Sequence, residues 1–450
     1  MIYTLVTTIL TTALLFQGLD INKAAGATLI IKIWDAVNDA LFGCIFDKVR
    51  FKSGKRFIPW LKISLLAIPI TTVLLFCMPK DASQSFKLAW YVVMYVLWDS
   101  AYTLCDVPIF GLVTAMTERL DERTALQSYK SIWGGAGSGL ATILATILAG
   151  EGIGMSYGAV SVIVAVCAIA TMIPICKNGV ERCGGETDES FTLRKMMKYL
   201  FSNKYLLIYY GGYFFFSSAN IASLLNLFVS YYLFNSSWFR MIIMVLSAAP
   251  ALIFSLLVPK LIEKFDKMKI FLFCSLLTVV ISVIMWLAGY DNIILVVILY
   301  MLRSIPISIT GVMAFMFTPD CAEYGKFKSG IEAKGITFSI QTFMVKLTSA
   351  VASTLSLFLL GVIGWKDVSD ASNFEQLKEL GITQSTQALD GLWFLFIMVP
   401  AIGIALGSIL WSCYKLRDSD IQLMTDANNG EISREEAVSK LSIGIKKEFT

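Results

Sequence analysis

Apolar residues run through this chain in long blocks, and polar residues gather in the stretches between them. A helix that crosses a bilayer needs about 20 predominantly apolar residues. Blocks of that kind fall at 1–17, 24–46, 61–78, 90–116, 126–150, 156–176, 206–233, 241–261, 270–289, 293–317, 335–364 and 391–414. They predict twelve helices, numbered here spans 1 to 12. Span 1 is the shortest, and the first basic residue after Met1 is Lys23. It therefore lacks the charged n-region of a signal peptide and reads as a short or truncated first span.

Composition agrees with the pattern. The chain has 450 residues, 56% hydrophobic and 16% charged, with a mean hydropathy of +0.70. A soluble domain needs far more polar surface, so the expectation is an all-α polytopic protein embedded in a lipid bilayer. The net charge of +4 says less than its distribution. Most Lys and Arg fall in alternate connections, at 47–56, 118–123, 177–204, 260–269 and 319–334, and in the tail from 415. By the positive-inside rule these segments and the C-terminus are cytoplasmic, in a multi-pass protein of the cell (inner) membrane. Basic residues scattered among apolar spans do not form a nucleic-acid patch, and no nucleic-acid partner is expected.

The nine cysteines form no CxxC pair and are expected as free thiols, while histidine is absent. No GxxxxGK[ST] loop and no GxSxG motif occurs, so neither ATP-driven pumping nor an intramembrane enzyme has support.

The chain divides at its longest polar connection. The expected organisation is a six-helix half at 1–176, a central cytoplasmic loop at 177–204, a second six-helix half at 205–414 and a cytoplasmic tail at 415–450. Each half carries a short basic loop after its second span, at 46–56 and 261–269, as an internally repeated secondary transporter would. Pro108, Pro250, Pro306 and the Gly134–Gly139 run interrupt spans; small residues there favour close helix packing. The 367–390 connection is expected outside the cytoplasm, and the tail as a short amphipathic helix.

Candidate chemistry lies in the ionisable residues inside spans: Lys32, Asp35 and Asp39 in span 2, Asp99 and Asp106 in span 4, Lys130 in span 5, Arg303 in span 10 and Lys346 in span 11. A carboxylate at a span centre costs roughly 2.5–3.5 kcal/mol on insertion scales, so such residues are retained for function. Lys32, Lys130 and Arg303 are long enough to snorkel toward membrane edges; a short Asp is not. Asp35 and Asp39, at i and i+4, leave one helical face and cannot comfortably both ionise without a cation, a proton or a basic partner. Asp35, Asn38 and Asp39 offer hard oxygen ligands, and Thr103 and Asp106, at i and i+3, offer more. If spans 2 and 4 touch, an oxygen cage for a monovalent cation results. Filling it would change what Asp106 and Lys346 can pair with, which couples ion to solute. Trp98, Tyr102 and Phe110 fit a sugar-stacking platform, and Tyr102 shares a face with Asp99 and Asp106.

The residues carrying this chemistry resemble a known family. Lys32-Ile-Trp-Asp-Ala-Val-Asn-Asp39, with Gly54-Lys55 and Pro59-Trp60, resembles the signature of the glycoside–pentoside–hexuronide:cation symporters, a branch of the major facilitator superfamily. So do Trp98 through Pro108, Asp121-Glu-Arg-Thr-Ala-Leu with Tyr129-Lys130, Asp320-Cys-Ala-Glu-Tyr-Gly325, and Ser339 through Lys346. The resemblance implies the twelve-helix major facilitator fold. It implies cation ligation by Asp35, Asn38, Asp39, Thr103 and Asp106, with Asp35, Asp39 and Asp106 holding Na⁺ if the protein is sodium coupled. It further implies sugar contacts from Tyr102, Asp106, Phe110, Lys130, Gln341 and Thr342, and a coupling role for Lys346.

Four positions depart from the family pattern: Ala40 where Pro is usual, Lys130 where Arg is usual, Gly311 where a Trp stands, and Asp99 where a small residue stands. The chain also opens just past the place of the family's span 1 sugar-binding Asp, so the natural protein is expected to begin upstream of Met1. The expected function is symport of a glycoside, pentoside or hexuronide with Na⁺ or H⁺, and no cofactor beyond that ion is expected. The alternatives are a proton-coupled carrier or facilitator for another small solute, including an anionic one, and a degenerate transporter acting as a sensor.

Overall fold

The computed structural model describes residues 1–20, 23–28, 30–31, 34–35, 38, 42, 49, 51, 54–55, 57–116, 120–149, 153–181, 199–235, 239–330, 334–366, 368 and 374–449. Among them helices are the sole regular element: α1 (Ile2–Thr8), α2 (Leu10–Phe16), α3 (Ile58–Phe76), α4 (Gln84–Met116), α5 (Leu120–Ala149), α6 (Tyr157–Asn178), α7 (Lys204–Ser218), α8 (Ala222–Phe234), α9 (Phe239–Leu256), α10 (Val258–Ile262), α11 (Lys267–Ala288), α12 (Ile293–Met313), α13 (Phe317–Ser329), α14 (Lys334–Val362), α15 (Phe374–Glu379), α16 (Thr386–Trp411), α17 (Asp418–Asn428), α18 (Arg434–Lys440) and α19 (Ile443–Lys446). Helical residues fall in all twelve predicted blocks; the described ones in span 2 are 24–28, 30–31, 34–35, 38 and 42. Seven helical stretches among the described residues are long and apolar enough to cross a membrane. α4, at 33 residues, has ample length, roughly 50 Å at 1.5 Å per residue, but carries Asp99 and Asp106 midway.

The boundaries differ from the hydropathy blocks in instructive ways. Span 1 breaks at Ile9, span 7 at 219–221 and span 8 at Leu257. The last break precedes Pro259, which lacks an N–H to continue the ladder and instead sits in the first turn of α10. Pro108, Pro250 and Pro306 end nothing: α4, α9 and α12 run through them. Neighbouring helices make such prolines tolerable in membranes. The 319–334 stretch, read as a loop, is largely helix α13, which stops at Gly330 with φ 70°, a left-handed cap that glycine adopts without strain. The tail forms three helices, α17 to α19, rather than one.

The chain falls into two compact units. The first comprises Met1–Ser190, Ser223–Met241 and Ser353–Leu392. Polar contacts stitch its helices: Thr4 Oγ1 donates to Ser138 Oγ at 2.8 Å, and Thr28 Oγ1 lies 2.9 Å from Tyr91 Oη. Glu181 Oε1 accepts the backbone N–H groups of Phe57 and Ile58 at 2.9 and 2.8 Å. That satisfies two orphan donors at the start of α3 and complements its dipole.

The second unit comprises Phe191–Ala222, Ile242–Ala352 and Trp393–Thr450. Its core is aromatic, built on Tyr205, Tyr209, Phe271, Phe317, Tyr324 and Trp411, all fully buried. Trp411 Nε1 donates to Tyr209 O at 3.0 Å, and the Tyr209 hydroxyl donates to Ala314 O. Gly212 lies directly beneath the Trp411 indole, where a Cβ would collide with it. A glycine there lets α7 and α16 approach closely enough for that pairing.

Candidate functional site

The site grows from the contact between span 2 and α4. Thr28 meets Tyr91, and ten residues further along span 2 Asn38 meets Asp99 and Thr103. A nearly constant sequence offset means that the two segments run side by side in the same direction. Asn38 Nδ2 lies 3.0 Å from Asp99 Oδ2 and 3.0 Å from Thr103 Oγ1. Thr103 Oγ1 donates to Asp99 O at 3.1 Å. The set is enclosed: Asp35 is 8%, Asn38 0%, Asp99 5% and Thr103 3% exposed. Tyr95, also buried, lies within electrostatic reach of both Asp35 and Asp99. Two carboxylates in such a setting hold their charge only with hydrogen-bond donors or a cation at hand.

The two spans touch, which is the condition set for an oxygen cage between them. Asn38 meets Asp99 and Thr103 through its nitrogen, and its oxygen meets Ser100 Oγ, also on α4, at 3.4 Å. Asp99, an acid where the family pattern has a small residue, joins Asn38 and Thr103. Tyr91, Tyr95 and Ser100 were passed over. The signal for the two tyrosines was the stripe Tyr91, Tyr95, Asp99, Thr103 and Asp106 at three- and four-residue steps on one face of α4. Asp39 and Lys32 lie outside the described residues. Among the described residues no group of three or more His, Cys, Asp or Glu side chains forms a metal-binding cluster.

Asp106 and Tyr102 are half-buried farther along α4. Tyr102 stacks on Trp98, with centroids 5.4 Å apart at 21°, and leans on Tyr3 at 5.3 Å. Trp98 itself is 2% exposed and is core rather than an open sugar platform. Helices α4 and α5 carry Phe110 and Lys130 in their course, but those side chains lie outside the described residues. Gln341, Thr342 and Lys346 sit on α14 in the second unit: Gln341 and Lys346 half-buried, Thr342 exposed. The Gln341 side-chain oxygen is enclosed and finds no hydrogen-bond donor among the described residues. Arg303, expected to snorkel, is instead 4% exposed on α12, and among the described residues its Nε has no hydrogen-bond partner.

The Asp320–Gly325 motif forms a second polar cluster, in the second unit. Lys267 Nζ pairs with Asp320 at 2.5 Å and with Asp418 at 3.3 Å. Asn203 Nδ2 donates to Cys321 O at 2.8 Å, and Asn428 Nδ2 donates to Glu323 Oε2 at 2.9 Å. Glu448, from the end of the tail, accepts from Lys204 Nζ at 3.0 Å, Tyr205 Oη at 2.9 Å and Tyr324 Oη at 2.8 Å. Partial burial pushes the Glu448 carboxyl up, but these three donors outweigh it and hold its pKa below the ordinary glutamate value. The motif is thus a docking plate for α7, α11 and the tail.

An all-helical membrane chain with an enclosed carboxylate–amide–hydroxyl cluster has the build of a secondary transporter. The chain belongs to the MFS/sugar transport protein family, whose model matches residues 1–418. It is 28% identical to the uncharacterized symporter YjmB of Bacillus subtilis over 413 residues, 89% of this chain and 86% of that protein. It is 24% identical to the putative glycoside/cation symporter YagG of Escherichia coli, over 91% of this chain and 87% of that one. Among solved structures it resembles the nucleoside transporter NupG in fold, with a TM-score of 0.58 at 14% identity, covering 92% of this chain and 95% of NupG. The resemblance drawn from the span 2, 4, 5 and 11 motifs is borne out, and so is the major facilitator fold.

Proposed function

We propose that the protein couples the entry of a glycoside, pentoside or hexuronide to the movement of Na⁺ or H⁺ down its gradient. The observation that carries this is the buried cluster of Asp35, Asn38, Asp99 and Thr103 between span 2 and α4. Carboxylates so enclosed within spans are costly unless they do work on an ion. The family supports sugar as cargo, and a relative named as a putative glycoside/cation symporter supports the coupling.

In this reading Asp35, Asn38, Asp39, Thr103 and Asp106 hold the cation. Tyr102, Asp106, Phe110, Lys130, Gln341 and Thr342 hold the sugar, and Lys346 links the two events. The sequence halves 1–176 and 205–414 are the repeats of the transporter, and the C-terminus faces the cytoplasm of a cell whose inner membrane holds the protein. The test is uptake of a panel of labelled glycosides, pentosides and hexuronides into proteoliposomes, with an imposed Na⁺ gradient, an imposed H⁺ gradient or neither. Accumulation above equilibrium under one gradient is expected. Equilibration without accumulation under both would leave a facilitator and overturn the symport reading.

A further inference from the structure

This inference rests on the symport reading and concerns how the cation site is set up. The Asn38 amide nitrogen has two protons, one directed at Asp99 Oδ2 and one at Thr103 Oγ1, each at 3.0 Å. An ionised carboxylate can only accept a hydrogen bond. With Asp99 ionised, turning the amide over would set its carbonyl oxygen against Asp99 Oδ2, which disfavours that orientation. Thr103 acts in the same sense. Its hydroxyl proton goes to Asp99 O at 3.1 Å, leaving its oxygen to accept from Asn38.

The consequence falls on the other end of the amide. Asn38 is fully buried. Among the described residues its Oδ1 meets Ser100 Oγ at 3.4 Å, and that hydroxyl also donates to Val96 O at 2.8 Å. Buried carbonyl oxygens are ordinarily supplied with a good donor. This one is held in a single direction with a lone pair in hand, three residues and so about one helical turn from the buried Asp35. Oxygen ligands of this kind suit a hard monovalent cation, by extension from the calcium and magnesium cases.

We infer that Asp99 is a positioning residue for the coupling cation: by accepting from Asn38 Nδ2 it fixes the amide so that Oδ1 stands as a preset ligand beside Asp35. Asp99 does not itself touch the ion in this scheme.

The test is a Na⁺ titration of the melting temperature of the purified full-length protein, with choline as control. It is made on the wild type, Asp99→Asn and Asp99→Ala. Asparagine still offers Asn38 a carbonyl oxygen, so Asp99→Asn is expected within about threefold of the wild-type half-saturating Na⁺ concentration. Alanine offers none, and Asp99→Ala is expected to raise that concentration roughly tenfold, the scale of one hydrogen bond lost at a charged group. Two results overturn the inference: Asp99→Ala within threefold of wild type, or Asp99→Asn as impaired as Asp99→Ala. The second would make the charge, not the accepting oxygen, the operative feature.

A double-mutant cycle on Asn38→Ala and Asp99→Ala, read by melting temperature without Na⁺, tests the lock by itself. Coupled effects are expected; additive effects overturn it. A wild type indifferent to both Na⁺ and pH would defeat the symport reading, while the cycle still judged the lock.

Discussion

Neutralising Asp35 trades stability against ion response in opposite directions. The side chain is 8% exposed within a span, and a carboxylate at such depth costs roughly 2.5–3.5 kcal/mol on insertion scales. Asp35→Asn keeps the size and removes the charge, so the ion-free protein is expected to become more stable by about 1–3 kcal/mol, part of that cost. The wild type recovers its deficit by binding the ion. A ligand at 100 times its Kd stabilises the state it binds by about 2.7 kcal/mol. The expected signature is therefore a crossing. Without cation the variant melts above the wild type; at saturating cation the wild type rises several degrees and the variant stays put. The assay is thermal unfolding of detergent-solubilised protein across a Na⁺ series in choline, and across a pH series for H⁺. A variant that keeps the full wild-type shift, or that is destabilised without cation, would refute the assignment of Asp35 to the ion.

Three further outcomes are expected. Lys346→Gln should lose cation-dependent uptake while keeping surface expression; uptake and ion dependence at wild-type level would reduce Lys346 to a structural lysine. Arg303→Met should raise the melting temperature, because among the described residues this buried guanidinium makes no ion pair and an apolar replacement removes its desolvation cost; a lowered melting temperature would show an unrecognised favourable role. Glu448→Gln should speed hydrogen exchange across 418–449 by a few fold, a modest figure because the Lys204 side chain is 54% exposed. Since the folded Glu448 pKa lies below its unfolded value of about 4.3, its contribution is complete above that pH and fades as pH falls through the folded pKa. Wild-type tail protection, taken relative to the intrinsic exchange rate at each pH, should then fall in acid more than that of Glu448→Gln, and an equal fall would contradict the sign.

The parts of this protein readable from sequence were those that periodicity alone encodes. Asp35 and Asp39 at i and i+4, and Thr103 and Asp106 at i and i+3, required only the helical repeat; that spans 2 and 4 touch was a condition, and Asn38 meets Thr103 across them. The partner of Asp99 was not readable, because 61 residues separate it from Asn38 and no local rule says which spans adjoin. Trp98 was misjudged for a related reason: an aromatic beside an Asp looks like a platform until packing encloses it. Helix α13 was read as a loop because its residues are polar; its helicity comes from the plate of contacts that Asp320, Glu323 and Tyr324 make with distant elements. Composition speaks of solvent, and those contacts arise only in the folded chain.

The division of the chain into units has a consequence in time. A ribosome delivers residues in order, and folding bodies made of contiguous sequence can close as they emerge. Neither unit here is contiguous. The first needs Ser353–Leu392 as well as its opening 190 residues, and the second needs Trp393–Thr450. Early helices must therefore wait in the lipid, inserted yet incompletely packed, until most of the message has been read. A stop codon placed after Ala352 would release a chain in which neither unit could be finished.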